Sequence, residues 1–152
     1  ESQLSQSRWV GATLMGVALA AANLTQANFS PASLVGANLS ETNGLNTDWR
    51  QADLTGAVMQ PAQLHSANFW QATLKNADLQ RASLFNASLE FANLSSANLT
   101  GADLREANLE NAQLDGVCFD ECNVHGAIFT DASGLLPAQK QWLKHQGALN
   151  VV

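Results

Sequence analysis

The sequence is poor in charge, in cysteine and in long apolar segments. Only 13% of its 152 residues are charged, and 13 acidic residues against 7 basic ones give a formal charge of −6. A surface that binds nucleic acid needs an excess of Lys and Arg, so this balance argues against direct nucleic-acid binding. Two cysteines are too few for a disulfide framework. No segment approaches the roughly 18 apolar residues of a membrane-spanning helix, so membrane insertion is not expected.

The sequence repeats with a strict period of five residues. Every fifth residue from Leu4 to Phe129 is large and apolar except Gly44, and the residue two positions earlier is usually alanine. From Ala12 to Ala132 the exceptions at that earlier position are Val17, Thr42, Thr47, Val117 and Cys122. This period fits neither an α-helix nor a flat strand. It indicates a coil that turns every five residues and keeps both positions inside a stack.

Residues 97–104, Ala-Asn-Leu-Thr-Gly-Ala-Asp-Leu, carry this pattern almost ideally. They resemble the pentapeptide-repeat family, whose motif is A-(D/N)-L-x-x, and the match extends over about residues 7–133. The resemblance implies an all-β solenoid, a right-handed quadrilateral β-helix with four repeats per coil. We therefore expect one β-helix of about six coils over residues 1–133, followed by a short capping helix and tail over 134–152, as in cyanobacterial members.

Side chains twenty residues apart should then share one face of the stack. The inward aromatic residues gather on one such face, which supports the twenty-residue coil, and stacked rings add to its burial. The predicted structural core includes Trp9, Phe29, Trp49, Phe69, Leu94 and Phe129. Glycines also recur twenty residues apart, at Gly16, Gly36, Gly56 and Gly116. Because a type II turn needs a positive φ at its third residue, we predict type II turns at that corner.

Two segments depart from the repeat. At Thr42–Leu45 the motif breaks while the frame continues, which is interpreted as a tolerated packing variation in which a local bulge puts Leu45 inside in place of Gly44. The alternative is a bent rod with Leu45 exposed to a partner. After residue 133, Pro137 suits a first helical position and Gly147 suits a C-cap. The residues expected to cover the last coil are Leu135, Leu136, Trp142 and Leu143, with Trp142 and Leu143 as the principal cap.

No arrangement of residues indicates catalysis, a metal site or a cofactor. The interior is filled by Leu, Phe and Ala, so the chain is not expected to be an enzyme. His65 and His125 fall three coils apart, about 14 Å at the usual strand spacing, which is too far for one metal ion. Cys122 falls at an inward alanine position and Cys118 points outward. A core cysteine and a Cys118–Cys122 disulfide remain the two interpretations of this pair.

Two outward features are candidates for binding. The first is a candidate partner patch formed by Trp70, Phe85, Phe91 and Arg50. Exposed aromatic clusters commonly dominate binding, but cation–π packing of Arg50 on Trp70 would explain the cluster without a partner. The second is a candidate acidic face, with a solvating surface as its alternative. It consists of Asp103, Glu106, Glu110, Asp115, Asp120 and Glu121.

These features favour a non-catalytic scaffold or protein-interaction module that presents flat β-helix faces to an unidentified protein partner. The chain would be a monomer, or a homodimer through an open end. The alternative comes from the family resemblance, because some members protect DNA gyrase, a type II topoisomerase, by mimicking duplex DNA. Such a mimic needs acidity in two rows along the rod. The compartment is not determined by the sequence: the cytoplasm is slightly favoured, and the periplasm and the thylakoid lumen are the alternatives.

Overall fold

Residues twenty positions apart are joined by a ladder of backbone bridges. In a computed structural model that describes residues 2–152, parallel bridges join Gln3 to Asn23 and Asn23 to Asn43, and continue at this spacing as far as Gln113 and Ser133. The bridges recur every five residues, and each is an isolated bridge, so every β segment is a single residue long. The chain is therefore a β-helix whose stacked coils repeat every twenty residues, the length of four sequence repeats.

The backbone turns between successive bridges, and the turn residue almost always has a positive φ. The angle is 63° at Gly16, 60° at Ser96 and 59° at Phe91. The N–H of this residue donates to the coil above, as Ser96 does to the carbonyl of Asp115 at 2.7 Å. The positive φ predicted for the glycine corner thus extends to the other corners, where non-glycine residues adopt it at some cost in strain.

Two prolines interrupt this pattern of turns. A proline ring holds φ near about −65° and removes the N–H donor, so Pro31 and Pro61 cannot bond the coil above. Gly11 and Glu41, which lie one coil below these prolines, also make no such bond within residues 2–152. Consecutive inter-coil hydrogen bonds are therefore missing at two corners of the N-terminal half.

The interior is continuous and filled. The central apolar residues and the alanines are buried from Ala22 to Phe129, and Leu94 is 0% exposed. Trp9, Phe29, Trp49 and Phe69 form a stack whose planes lie within 7° of parallel, with centroid separations of 6.1, 4.4 and 6.1 Å. Trp9, at one end of this stack, is only partly buried, whereas Phe129 is 1% exposed.

The bulge considered at Thr42–Leu45 is absent, so that interpretation is wrong. The ladder passes through the segment unbroken, with the Gly44 N–H donating to the carbonyl of Gln63 at 2.7 Å. Gly44 is buried and Leu45 points outward with 37% of its surface exposed. A Cβ atom built on Gly44 would lie 2.9 Å from Cδ2 of Leu64. The leucine of the coil above therefore occupies the space that a central side chain would need.

The C-terminal helix, α1, spans Pro137–His145 and begins with proline at the predicted position. Leu143 is fully buried on the last coil and Trp142 is partly buried against it. Leu136, also expected to cover the coil, is 64% exposed at the N-cap of α1, so that expectation is wrong.

The chain returns to the β-helix after α1, which the sequence analysis missed. Leu149 forms a parallel bridge with Ile128, and its N–H donates to the carbonyl of Ala127 at 2.8 Å. The N–H of Phe129 donates to the carbonyl of Leu149 at 2.9 Å. Val151, which is only 7% exposed, adds to the cover. The last coil is therefore closed partly by a helix and partly by one further rung.

Restoring the repeat's leucine at Gly44 should destabilise the protein. Since Leu64 already fills the space, Gly44→Leu should lower the free energy of unfolding by about 1–3 kcal/mol through overpacking. Leu64→Ala alone should cost about 2–5 kcal/mol. The double variant should lose less free energy of unfolding than the two single variants lose together, as measured by urea unfolding. Additive losses would show that the two positions do not share one space.

The cap can be tested by the same substitution at two leucines, one that is buried against the last coil and one that is exposed. Leu143→Ala removes a fully buried side chain and should lower the free energy of unfolding by about 2–5 kcal/mol. Leu136→Ala alters an exposed side chain and should change it by less than about 0.5 kcal/mol. Equal losses in urea melts would contradict a capping role for Leu143.

Candidate protein-interaction surfaces

Trp70 and Phe91 form an aromatic pair on the outside of the β-helix. Their ring centroids are 6.4 Å apart and the rings meet edge to face at 74°. Trp70 is partly buried, while 51% of Phe91 is exposed. Phe91 also occupies a turn position with φ of 59°, where Asn111 stands one coil above it. Phe91 therefore places a large apolar side chain at a solvent-facing turn, with Trp70 as its aromatic neighbour.

Phe85 is held more firmly at the neighbouring corner. The His65 ring meets it edge to face at a centroid distance of 6.3 Å, and Cζ of Arg105 lies 5.6 Å from its ring centroid. His65 is itself hydrogen-bonded to the hydroxyl of Ser83. Phe85 is therefore half-buried between partners from the coils below and above, and these partners fix the orientation of its ring.

Arg50 does not make the cation–π contact considered for it. Its guanidinium forms a bidentate pair with Asp48, with Nε–Oδ1 at 2.9 Å and Nη2–Oδ2 at 2.7 Å. Burial acts to raise the pKa of Asp48, but the hydrogen bonds and charge of Arg50 outweigh it and leave the pKa below its usual value. The cation–π contact of this region joins Arg105 and Phe85 instead.

A second pair of the same design joins Arg105 to Asp103. The distances are 2.9 and 2.7 Å, and the hydrogen bonds from Arg105 hold the pKa of Asp103 below its usual value. In both pairs the arginine follows the aspartate by two residues. The aspartate lies at a bridge position, and the arginine lies on the turn that follows it. The negative charge of Asp103 on the candidate acidic face is therefore largely balanced by the positive charge of Arg105.

The remaining acidic residues lie on successive turns around the coil. The carbonyl of Glu110 accepts from Phe91, that of Asp115 from Ser96, and that of Asp120 from Gly101. Each of these bonds belongs to a different corner. Glu106 lies on a further corner, where its N–H donates to the carbonyl of His125 at 3.2 Å. Glu121 follows Asp120 on the same turn. The six residues therefore encircle the end of the β-helix and do not form a single face.

Comparison with known families now identifies the repeat. A model of pentapeptide repeats matches eight copies, over residues 1–30, 32–71, 62–101 and 92–131. The chain belongs to the pentapeptide-repeat family. This confirms the family inferred from the A-(D/N)-L-x-x motif. No curated protein sequence matches the chain.

Several solved structures match the chain, and two of them, HetL and Rfr23, are pentapeptide-repeat proteins from cyanobacteria. HetL, involved in heterocyst differentiation regulation in the cyanobacterium Nostoc, is 30% identical, with 86% of this chain and 71% of HetL covered and a TM-score of 0.43. Rfr23 from the cyanobacterium Cyanothece is 30% identical, with coverages of 80% and 90% and a TM-score of 0.37. QnrB1, a plasmid-mediated fluoroquinolone resistance protein, is 17% identical, with coverages of 88% and 77% and a TM-score of 0.45.

The cysteines of this pentapeptide-repeat chain are both free thiols, so the disulfide interpretation is wrong. Cys122 is buried and its thiol donates to the carbonyl of Leu99 at 2.8 Å. Cys118 is partly exposed and contacts the hydroxyl of Thr100 at 3.3 Å. Burial, the largest influence on Cys122, raises the pKa of its thiol to about 12.

Two kinds of feature are absent from the described part of the chain. Across residues 2–152, no three His, Cys, Asp or Glu side chains come together in a way that could hold a metal ion. The same residues include no helix with the length and apolar character needed to cross a lipid bilayer.

The two thiols should differ sharply in reactivity. A thiol must ionise to react, and a raised pKa keeps Cys122 protonated at about pH 8, where an ordinary thiol is partly ionised. A thiol-specific disulfide reagent should therefore modify only Cys118 in the native protein and both cysteines after unfolding in urea. The Cys118→Ser variant, as control, should lose the native reaction. Rapid native modification of Cys122 would contradict its burial.

Proposed function

We propose that this chain is a non-catalytic protein-interaction module. Its rigid β-helix presents an outer surface to a protein partner, with Trp70, Phe85 and Phe91 as the contact residues. The observation that carries the proposal is Phe91, a half-exposed aromatic side chain at a positive-φ turn. Aromatic anchors commonly dominate the energy of protein interfaces. The Phe91 side chain lies outside the apolar core of the β-helix. Arg50 supplies a charge at the edge of this patch, oriented by Asp48.

We infer that the β-helix is right-handed and four-sided, with about six coils over residues 1–133. Bridged partners twenty residues apart and a turn every five residues support this geometry. We further infer that residues 134–152 are a cap that lies outside the aromatic patch. The full burial of Leu143 and the bridge of Leu149 to Ile128 support that division.

A filled interior leaves recognition as the task of the outer surface. Catalysis needs convergent acids, bases or nucleophiles in a concave site. Here the inward positions hold apolar side chains, with Thr42 and Thr47 as buried polar exceptions whose hydroxyls donate to backbone carbonyls. These observations support the module over an enzyme.

The alternative function is mimicry of DNA toward a type II topoisomerase such as gyrase. The net charge of −6 favours it, because duplex DNA is a rod of negative charge. It also requires acidity repeated along the axis of the rod. Glu90 and Glu110 are stacked in this way, but Asp115 stands above Ser95 and Asp120 above Thr100. The distribution of charge therefore favours the interaction module.

A triple substitution tests the aromatic patch without disturbing the core. The replacements Trp70→Ser, Phe85→Thr and Phe91→Asn use residues that this chain carries at the same corners, at Ser30, Thr25 and Asn111. Asn also tolerates the positive φ at position 91. We expect an unchanged circular dichroism spectrum and a partner affinity weakened by about tenfold or more. The measurement is quantitative capture of the principal partner from the source cell, followed by titration of that partner.

A matched variant separates the two functions. Glu106→Gln, Glu110→Gln and Asp115→Asn remove three charges and should leave capture of the partner unchanged. Neither the wild type nor this variant should inhibit supercoiling by gyrase. If neutralising the charges abolishes binding while the aromatic variant keeps it, the patch is surface packing and the acidic function is supported. Inhibition of gyrase that weakens with rising salt would also support the acidic function.

A further inference from the structure

The ladder of the last coil is open along one side. In the coil below, Leu99 and Gly101 donate their N–H groups to the carbonyls of Cys118 and Asp120, at 3.0 and 2.8 Å. The equivalent N–H groups one coil higher belong to Phe119 and Glu121, and they have no acceptor within residues 2–152. The cause is the path of the chain, which leaves the ladder after Ser133 for α1.

The chain rejoins the ladder beyond this gap. The N–H of Gly126 donates to the carbonyl of Gly147 at 2.9 Å, and Leu149 pairs with Ile128. Helix α1 crosses above the open side and is tied there by Gln139, whose Nε2 donates to the carbonyl of Val117 at 2.9 Å. The edge therefore lies next to a helix but has no strand paired with it.

A groove of about 420 Å³ separates α1 from this edge. Its walls include Phe119, Trp142 and Cys118, and its rim carries Asp120 and Glu121. The volume lies within the range of ordinary ligand sites. Asp120 and Glu121 are exposed and take part in no salt bridge within residues 2–152. The groove thus combines an aromatic wall, two unpaired carboxylates and two free backbone donors.

We propose that this groove binds an extended peptide segment that carries a lysine or arginine, contributed by a protein partner. The segment's carbonyls accept hydrogen bonds from Phe119 and Glu121, which is the addition of a strand to an open edge. Its cationic side chain lies between Asp120 and Glu121 and against Trp142, where charge pairing and cation–π attraction act together.

The spacing of the free donors favours a peptide over a small amine. The donors lie two residues apart on one chain, and the coil below shows what satisfies them. There the acceptors are the carbonyls of Cys118 and Asp120, which are also two residues apart on one chain. An occupant that satisfies both donors in this way presents a polypeptide backbone. The carboxylates then set the charge of its side chain.

The groove is separate from the aromatic patch of the proposed function. Trp70 and Phe91 belong to lower coils, and none of the residues that line the groove belongs to the patch. The two surfaces can therefore be tested independently, with the aromatic variant as a control for the groove.

The test uses the full chain and a synthetic probe. The probe is an acetylated and amidated hexapeptide, Ser-Lys-Val-Lys-Val-Ser, and its partner control carries Glu in place of both lysines. In ¹H–¹⁵N correlation spectra we expect the lysine peptide to shift the amide signals of Phe119 and Glu121 saturably. The glutamate peptide should leave them unchanged. The Asp120→Asn, Glu121→Gln variant should bind the lysine peptide about fivefold more weakly, since two exposed charge pairs are lost.

A second readout uses the thiol in the groove wall. In a Cys122→Ala variant, Cys118 is the single thiol, and the lysine peptide should slow its reaction with N-ethylmaleimide. The proposal is overturned if millimolar lysine peptide neither shifts the two amides nor protects Cys118. It is also overturned if both peptides act alike, or if the shifts cluster at Trp70 and Phe91. The aromatic triple variant should bind the lysine peptide as the wild type does. A negative result for the groove therefore does not contradict the proposed function of the aromatic patch, and the reverse also holds.

Discussion

The inter-coil backbone hydrogen bond is the constraint on which the rest of the structure depends. Every central residue from Leu4 to Leu114 donates to a carbonyl nineteen residues ahead, as Leu94 does to Gln113 at 2.9 Å. These bonds hold successive coils at a nearly constant distance, so the inward side chains of each level must fit within that spacing. The alternation of leucine and alanine meets this condition. It also fills the interior with buried side chains from Ala22 to Phe129.

The period of five predicted most of the fold because every repeat packs in the same way. The inward leucines, the alanines and the aromatic column all follow from identity at a fixed spacing. Gly44 is an exception, since the gap in the pattern is filled by a neighbour twenty residues away and not by the adjacent Leu45. A single sequence carries no signal of which side chain bends into such a space. The return of Leu149 was missed for a related reason, because the helix removes the chain from the five-residue frame.

The candidate surfaces were less predictable than the core. Their residues were identified correctly as outward, but their partners depend on side-chain rotamers that the repeat does not constrain. Arg50 turns to Asp48 two residues earlier, while Arg105 pairs with Asp103 and also covers Phe85. The free donors of Phe119 and Glu121 depend on where the chain leaves the ladder. Such features arise from the end of the repeat, so a pattern read from its middle could not reveal them.

Pro31 and Pro61 have a consequence for the mechanics of the rod. Each removes a bond to the coil above, and the turn below each also lacks its bond, so two corners of the N-terminal half are joined by fewer contacts. In the C-terminal half the corresponding corners at Arg81 and Phe91 keep theirs. A force applied along the axis would therefore stretch the two halves unequally. Under such a force, the more extensible part is expected on the N-terminal side of the aromatic patch.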